Sequence, residues 1–360
     1  MKTGLADLPL HWGKAPKWLF ERMKELGKEI CVILIDEYGK KEFLKRISDP
    51  FWFQAFSCIL GYDWHSSGCT TVTCAVLKEV FKEDELGVYV LGGKGKTSKK
   101  TPEEIEKIGE KLSLSSRKIE ELKKTSRLVA KVDNVALQDN FQLYHHSFIL
   151  TENGEWAVIQ QGMNSSNRLA RRYHWLSFEV ESFVKEPHKA ICCDVKVKAL
   201  NMVAREVEET RKICVDLIKD NPCHLKKYLI QNSENSLIKY LRMPSTHWIK
   251  VKNYEKIFDN FYKAYESQPK TFEELLQIRG VGPNTIRALA LIAKLIFGAP
   301  LSWNDPAKYS FAHGGKDGTP YPVDKKTYDR SIQILKDAIE NAKLGRKEKI
   351  EAIKKLESFW

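Results

Sequence analysis

The spacing of apolar residues changes character along the chain. Phe141 to Leu150, FQLYHHSFIL, and Trp156 to Gln161, WAVIQQ, read as two strands, and the Asn153-Gly154 pair between them is a strong hairpin signal. Strand chemistry also predicts short strands over Glu29 to Ile35, EICVILI, ended by Tyr38-Gly39, and over Val88 to Leu91. Helical spacing is predicted from Pro16 through Met23, then over Lys41 to Ile47, Phe51 to Leu60, Thr70 to Phe81 and residues 103 to 131. Residues 176 to 200 resist assignment, with a boundary suggested at Pro187-His188. From about Val203 the pattern is uniformly helical. The expectation is an α+β protein: an N-terminal mixed α/β domain with a β-hairpin over residues 1 to 195, followed by an all-α domain over residues 196 to 360.

The most informative stretch lies in that second domain. In TFEELLQIRGVGPNTIRALALIAKLIFG, Thr271 with Glu274 makes a capping-box start to a first helix that stops at Gly280. The two glycines around Val281 allow a tight reversal, and Pro283 sits where the first turn of a second helix tolerates proline. Free N–H groups and the positive dipole end of that second helix would form a phosphate seat. Its expected contacts are Gly280, Val281, Gly282, Asn284, Thr285 and Arg287.

Composition adds a partner to this picture. Hydrophobic content is 42% and charged content 29%, near ordinary globular values, and no apolar run approaches the ~20 residues that span a bilayer. A formal charge of +12 favours polyanionic partners. Half of that excess falls in residues 92 to 131, with twelve Lys/Arg against six Asp/Glu. DNA is the expected partner, another nucleic acid the next, and a membrane is not expected. The N-terminus has no signal-peptide pattern. The eight cysteines contain no C-x-x-C and read as reduced thiols in a cytoplasmic protein. Combinations such as His65 with Cys69 and Cys74, or Cys223 with His224, lack zinc-finger spacing.

Candidate chemistry is spread over several loops. Gly61 to Gly68, GYDWHSSG, offers Asp63 and His65. Strand alternation places His145 and His146 on opposite faces, so only one of them can easily join a given site. Gly92 to Thr97 invites a P-loop reading, but G-x-x-x-x-G-K-[ST] needs glycine where Val90 stands, so no ATP site is expected. Lys94 and Lys96 in that loop suit phosphate contact. Arg168, Arg171 and Arg172, interleaved with Tyr173, His174 and Trp175, have the composition for phosphate contact and base stacking, with a solvated basic face over core aromatics as the alternative. His313 and Asp317 lie in a second polar loop, HGGKDG.

The run through Gly280, Val281, Gly282 and Thr285 resembles the helix-hairpin-helix motif of DNA repair proteins. Pro322-Val323-Asp324 is similar to the triplet that carries the catalytic aspartate of helix-hairpin-helix DNA glycosylases, which implies Asp324 for that role; capping of a helix from Lys325 is the alternative. Asn284 stands where bifunctional members place a lysine nucleophile, so lyase chemistry is not implied. No cysteine follows Asp324, so no iron-sulfur cluster is implied.

Over its whole length the chain resembles a prokaryotic family known as domain of unknown function 763. The matching stretches include Leu8-Pro9-Leu10-His11, Asp63 to Gly68, Gly92 to Gly95, Leu143 to His146, Gln160 to Asn164, Ala170 to Trp175 and Phe311 to Gly318. That resemblance brings no reaction with it. The expected function is DNA binding in repair or processing, as a nuclease or base-excision hydrolase with Asp63, His65, His145, His146, His313, Asp317 and Asp324 as candidate acids, bases or divalent-metal ligands. The alternatives are a non-catalytic DNA-binding module and a nucleotide or nucleoside hydrolase. The sequence sets neither the reaction nor the oligomeric state.

Overall fold

The computed structural model describes residues 17–61, 68–82, 86–166, 169–193, 195–225 and 254–307, together with 333–334, 336–341, 345, 347–348, 350–351 and 354. Its centre is an antiparallel sheet of β1 (Val88–Lys94), β3 (Gln142–Thr151), β4 (Trp156–Asn164), β5 (Leu169–Leu176) and β6 (Ala190–Cys192), in the spatial order β1-β3-β4-β5-β6. A two-stranded ladder joins β2 (Leu137–Gln138) to β7 (Leu200–Asn201). The β3–β4 hairpin forms at the expected Asn-Gly site: Leu150 pairs with Trp156, and Gly154 takes φ +79° while its N–H donates to Thr151 O at 2.9 Å.

Helices cover both faces of the sheet. On one face lie α1 (Lys17–Ile47), α2 (Pro50–Ile59) and α3 (Gly68–Val80), packed against Val90, Ile149, Ile159 and Leu176. The strand expected over Glu29 to Ile35 is instead part of α1. Met23, Gly27, Ile30, Cys31, Leu34 and Ile35 are buried at helical spacing, whereas a continuous apolar run carries no period of its own to distinguish the two. The expected break at Gly39 is present as a non-helical residue, φ +81°, inside that span. Asp49 caps α2 through Phe51 N and Trp52 N.

On the other face, α4 (Thr101–Lys111) and α5 (Ser116–Lys131) share a core with Tyr89, Phe148, Val158 and Trp175. The same buried cluster continues into α6 (Glu208–Lys219), α7 (Tyr254–Ser267), α8 (Phe272–Gln277) and α9 (Pro283–Phe297). The sheet and these C-terminal helices are therefore joined across residues 195/196 by one continuous core. The protein is of mixed α and β structure. Among the described residues no helix is long and apolar enough to cross a membrane.

Candidate functional site

The turn between α8 and α9 forms where the residues dictate. Thr271 caps α8 by accepting from Glu274 N at 3.2 Å, and Glu274 reaches back to Lys270 N at 2.7 Å. The chain reverses through Ile278 to Gly282. Gly280 takes φ +101°, a conformation that favours glycine, and a Cβ there would lie 2.4 Å from Asn260 Oδ1, the end of a side chain that would have to turn aside. Val281 is buried. Gly282 is different. Its backbone is extended, with φ −132°, and a Cβ would meet nothing nearer than Gly280 O at 3.9 Å. Nothing inside the described protein requires glycine at 282. It is the N-cap of α9, whose first turn has no side-chain cap.

Exposed cations border this turn. Arg279 and Lys263 are exposed, and Lys263 Cδ lies 3.9 Å from where a Gly280 Cβ would stand. Lys131, at the end of α5, donates to Val281 O at 2.6 Å, and its partial burial lowers its pKa. Arg117, Lys124 and Arg127 are exposed on α5 at spacings that place them with Lys131 along one side of that helix. Lys124 and Arg127 form no ion pair among the described residues. This basic stripe ends at the turn.

The segment after α5 fastens the turn to the sheet. Residues Val132–Ala136 form a π-type turn. Gln138 Nε2 then donates to Pro283 O at 2.9 Å, and Arg287 Nε donates to Gln138 Oε1 at 2.8 Å. Arg287 is thus 6% exposed, and burial pushes its pKa down to about 10. It anchors α9 rather than offering a surface phosphate contact, contrary to the expectation from its place in the motif.

Beneath the segment runs a directional chain of buried polar groups. Gln160 Nε2 and Trp175 Nε1 donate to Asp133 Oδ2, the latter at 2.9 Å, while His188 Nε2 meets Asp133 Oδ1. With its amide nitrogen committed to Asp133, Gln160 offers Oε1 to His146 Nδ1 at 2.7 Å. His146 therefore carries its proton on Nδ1 and accepts from Ser126 Oγ through Nε2 at 3.0 Å. Ser126 is 3% and His146 5% exposed, which makes this pair interior wiring.

His145 faces the opposite layer, where its Nε2 meets Ser147 Oγ at 3.0 Å. The expected division of the two histidines between faces is what the partners show. Burial, with the neighbouring His146 and Lys94 charges, pushes the His145 pKa down to about 3, and burial also lowers that of His146. The unfolded chain, titrating near the ordinary 6.5, binds protons that folded His145 refuses between these two values. The stability due to neutral His145 is present above pH ~6.5 and lost as pH falls towards 3, by about 1.4 kcal/mol per pH unit. Urea unfolding at pH 7.5 and at pH 5 is expected to show the lower stability at pH 5, with a smaller difference in His145→Gln.

Arg171 and Arg172 lie on adjacent positions of β5 and point to opposite faces, both fully buried. Arg171 Nη1 donates to Asp139 at 2.8 Å, its Nη2 donates to Asp305 at 2.6 Å, and Tyr173 Oη donates to Asp139 at 2.7 Å. Burial opposes its charge, yet the two carboxylates outweigh that and hold its pKa well above the ordinary value. Arg172 donates to His174 Nε2 at 2.9 Å and to Gln54 Oε1 at 3.1 Å, and stacks on the Phe53 ring. The expected phosphate contacts of Arg171 and Arg172 are thus corrected, because neither reaches solvent. Alternation with aromatics marked a buried strand whose charges are satisfied internally.

Lys94 and Lys96 remain exposed, although the Gly92 N–H is taken by Glu104 at 2.7 Å. Asn284 is half-buried and Thr285 buried in the first turn of α9. Asp63, His65, Arg168, His313, Asp317 and Asp324 lie outside the described residues. None of the eight cysteines forms a disulfide, and seven of them are buried. Among the described residues no group of three His, Cys, Asp or Glu side chains could hold a metal ion. Sequence reasoning missed Asp133, Asp139, Asp305 and His188. The only signal for them was the need of each buried cation or ring N–H for an acceptor.

A protein-family model described as "Protein of unknown function (DUF763)" matches residues 4–323. No curated protein and no solved structure matches the chain.

Proposed function

For a chain that belongs to the DUF763 family, whose description names no function, we propose nucleic-acid binding through the α8–α9 turn, read as a helix-hairpin-helix that grips the phosphate backbone of DNA. One observation carries the reading. Gly282 has an extended backbone and open space where a Cβ would stand, so its lack of a side chain serves something outside the described protein. A phosphate approaching the uncapped first turn of α9 needs that clearance, and the dipole of a fifteen-residue helix favours the negative charge. Arg279, Lys263 and the stripe through Lys124 and Arg127 would extend the grip along the backbone.

Titrating duplex DNA at several salt concentrations tests the electrostatic part. Affinity is expected to fall steeply with salt, and the log–log slope to become shallower by about 0.9 for each phosphate that is no longer neutralised. The Lys124→Ala/Arg127→Ala variant is therefore expected to flatten it by about 2. An unchanged slope removes the α5 stripe from the interface. Salt-independent or undetectable binding refutes the reading itself.

A further inference from the structure

A second basic surface forms where β1 ends. Between Glu85 and Glu103 the chain carries four lysines, Lys94, Lys96, Lys99 and Lys100, and no acidic residue. All four are exposed, three of them in the 3-10 turn Gly95–Lys100, and none forms an ion pair among the described residues. Lysines elsewhere are matched: Lys118 by Glu121, Lys123 by Glu120 and Glu106, and Lys189 by Glu179. Glu104, close by in the sequence, is committed inward, accepting from Gly92 N at 2.7 Å and from Lys78 Nζ at 2.9 Å. Like charges gathered without counter-charge repel one another, so a polyanion that neutralises them is favoured.

The lysines stand on a fixed support. Lys78 Nζ donates to Gly92 O at 2.8 Å, Ser98 Oγ to Gly95 O at 2.6 Å, and Thr101 Oγ1 to Ser98 O at 2.8 Å. Lys94 Nζ lies 5.8 Å from the centre of the Tyr144 ring. A partner therefore meets charges whose backbone is already ordered. Contacts also place this turn beside the end of α5. Gly93 and Lys94 pair with His146 and His145 of β3, and His146 Nε2 accepts from Ser126 Oγ, the residue before Arg127 in the basic stripe. Further along the same edge, Leu143 N donates to Asn134 Oδ1 at 3.4 Å. Asn134 follows Lys131, whose Nζ donates to Val281 O in the α8–α9 turn. The end of α5 thus links the two basic surfaces.

We propose that Lys94 and the turn Gly95–Lys100 form a second phosphate-contacting surface, and that this surface and the α8–α9 turn hold one DNA duplex. The inference rests on the DNA-binding reading of the α8–α9 turn and adds the class of DNA, a duplex long enough to pass the end of α5. A duplex is stiff on this scale, with a persistence length of about 150 base pairs, so it lies against two fixed surfaces without first losing chain freedom. An extended acidic peptide would lose that freedom on binding.

Fluorescence anisotropy of full-length protein with a labelled duplex of about 20 base pairs, roughly two helical turns, is the readout. Lys96→Gln/Lys99→Gln is compared with Lys41→Gln/Lys45→Gln, which removes the same charge from exposed positions of α1, on the sheet face opposite α4 and α5. The first variant is expected to bind about tenfold or more weakly at low salt and to flatten the log–log salt slope by about 2. The second is expected to keep the wild-type slope. All four side chains are exposed, so both variants should keep the wild-type thermal midpoint. Poly-L-glutamate is the competitor, and it is expected to displace the labelled duplex less well than unlabelled duplex of equal charge. The proposal is overturned by an unchanged slope in Lys96→Gln/Lys99→Gln, by an equal loss in Lys41→Gln/Lys45→Gln, or by poly-L-glutamate competing as well as the duplex. Weakened binding in Gly282→Val beside an unchanged Lys96→Gln/Lys99→Gln overturns this inference alone. Binding weakened only in Lys96→Gln/Lys99→Gln overturns the reading of the α8–α9 turn and, with it, the shared duplex.

Discussion

Arg171→Met is expected to lower the free energy of unfolding by about 3–5 kcal/mol, the scale for stranding a buried charge by removing its partner. The guanidinium is fully buried between Asp139 and Asp305, which are 1% and 3% exposed at their side chains. It therefore joins three stretches distant in sequence: β5, the segment after α5, and the segment after α9. Methionine would fill much of the volume while leaving two carboxylates in the interior without their cation. They would retain only lesser donors, such as Tyr173 Oη and Phe141 N on Asp139 and Val197 N on Asp305. Arg171→Lys keeps the charge and loses the planar fork, so it should fall between the two. Urea denaturation of the three proteins at neutral pH measures the series. A loss below ~1 kcal/mol in Arg171→Met would mean that the carboxylates escape to water and that the link is peripheral.

Those three stretches also show which parts of the fold the sequence made legible. The β3–β4 hairpin was readable because Asn153-Gly154 and period-two alternation are both local signals. The α8–α9 turn was readable for the same reason: capping at Thr271, glycine at 280 and proline at 283 act within a few residues. EICVILI was not readable as a helix, since a wholly apolar run looks the same at either period, and packing against α2, α3 and the sheet decided it. β5 was obscured by its arginines. Two adjacent guanidiniums suggest a surface until the acceptors that bury them are known, and those acceptors lie 32 and 134 residues away for Arg171. His188 was legible only as part of a boundary, because its partner Asp133 is 55 residues distant. Distant pairing, invisible to local pattern, built the interior network.

The second large effect is expected on binding, at Gly282. Gly280 and Gly282 look equivalent in the sequence, but the structure separates them. Gly280→Val would suffer both at φ +101° and against Asn260, so a loss of binding there could come from an altered turn. Gly282→Val meets no such obstacle: φ −132° is ordinary for valine, and the nearest atom to the new Cβ is 3.9 Å away. Stability is expected to stay within ~0.5 kcal/mol of wild type, as for other substitutions away from strained or packed positions. Valine's two methyl groups would instead project over the first turn of α9 and hold a phosphate away from its N–H groups. The expected loss of DNA affinity is tenfold or more, about 1.4 kcal/mol.

The dissociation constant of Gly282→Val for duplex DNA, taken beside wild type at one low salt concentration with both thermal midpoints recorded, is the most direct measurement of the account. An unchanged midpoint and an affinity at least tenfold weaker are expected. A variant that keeps its midpoint and binds DNA as tightly as wild type would contradict it.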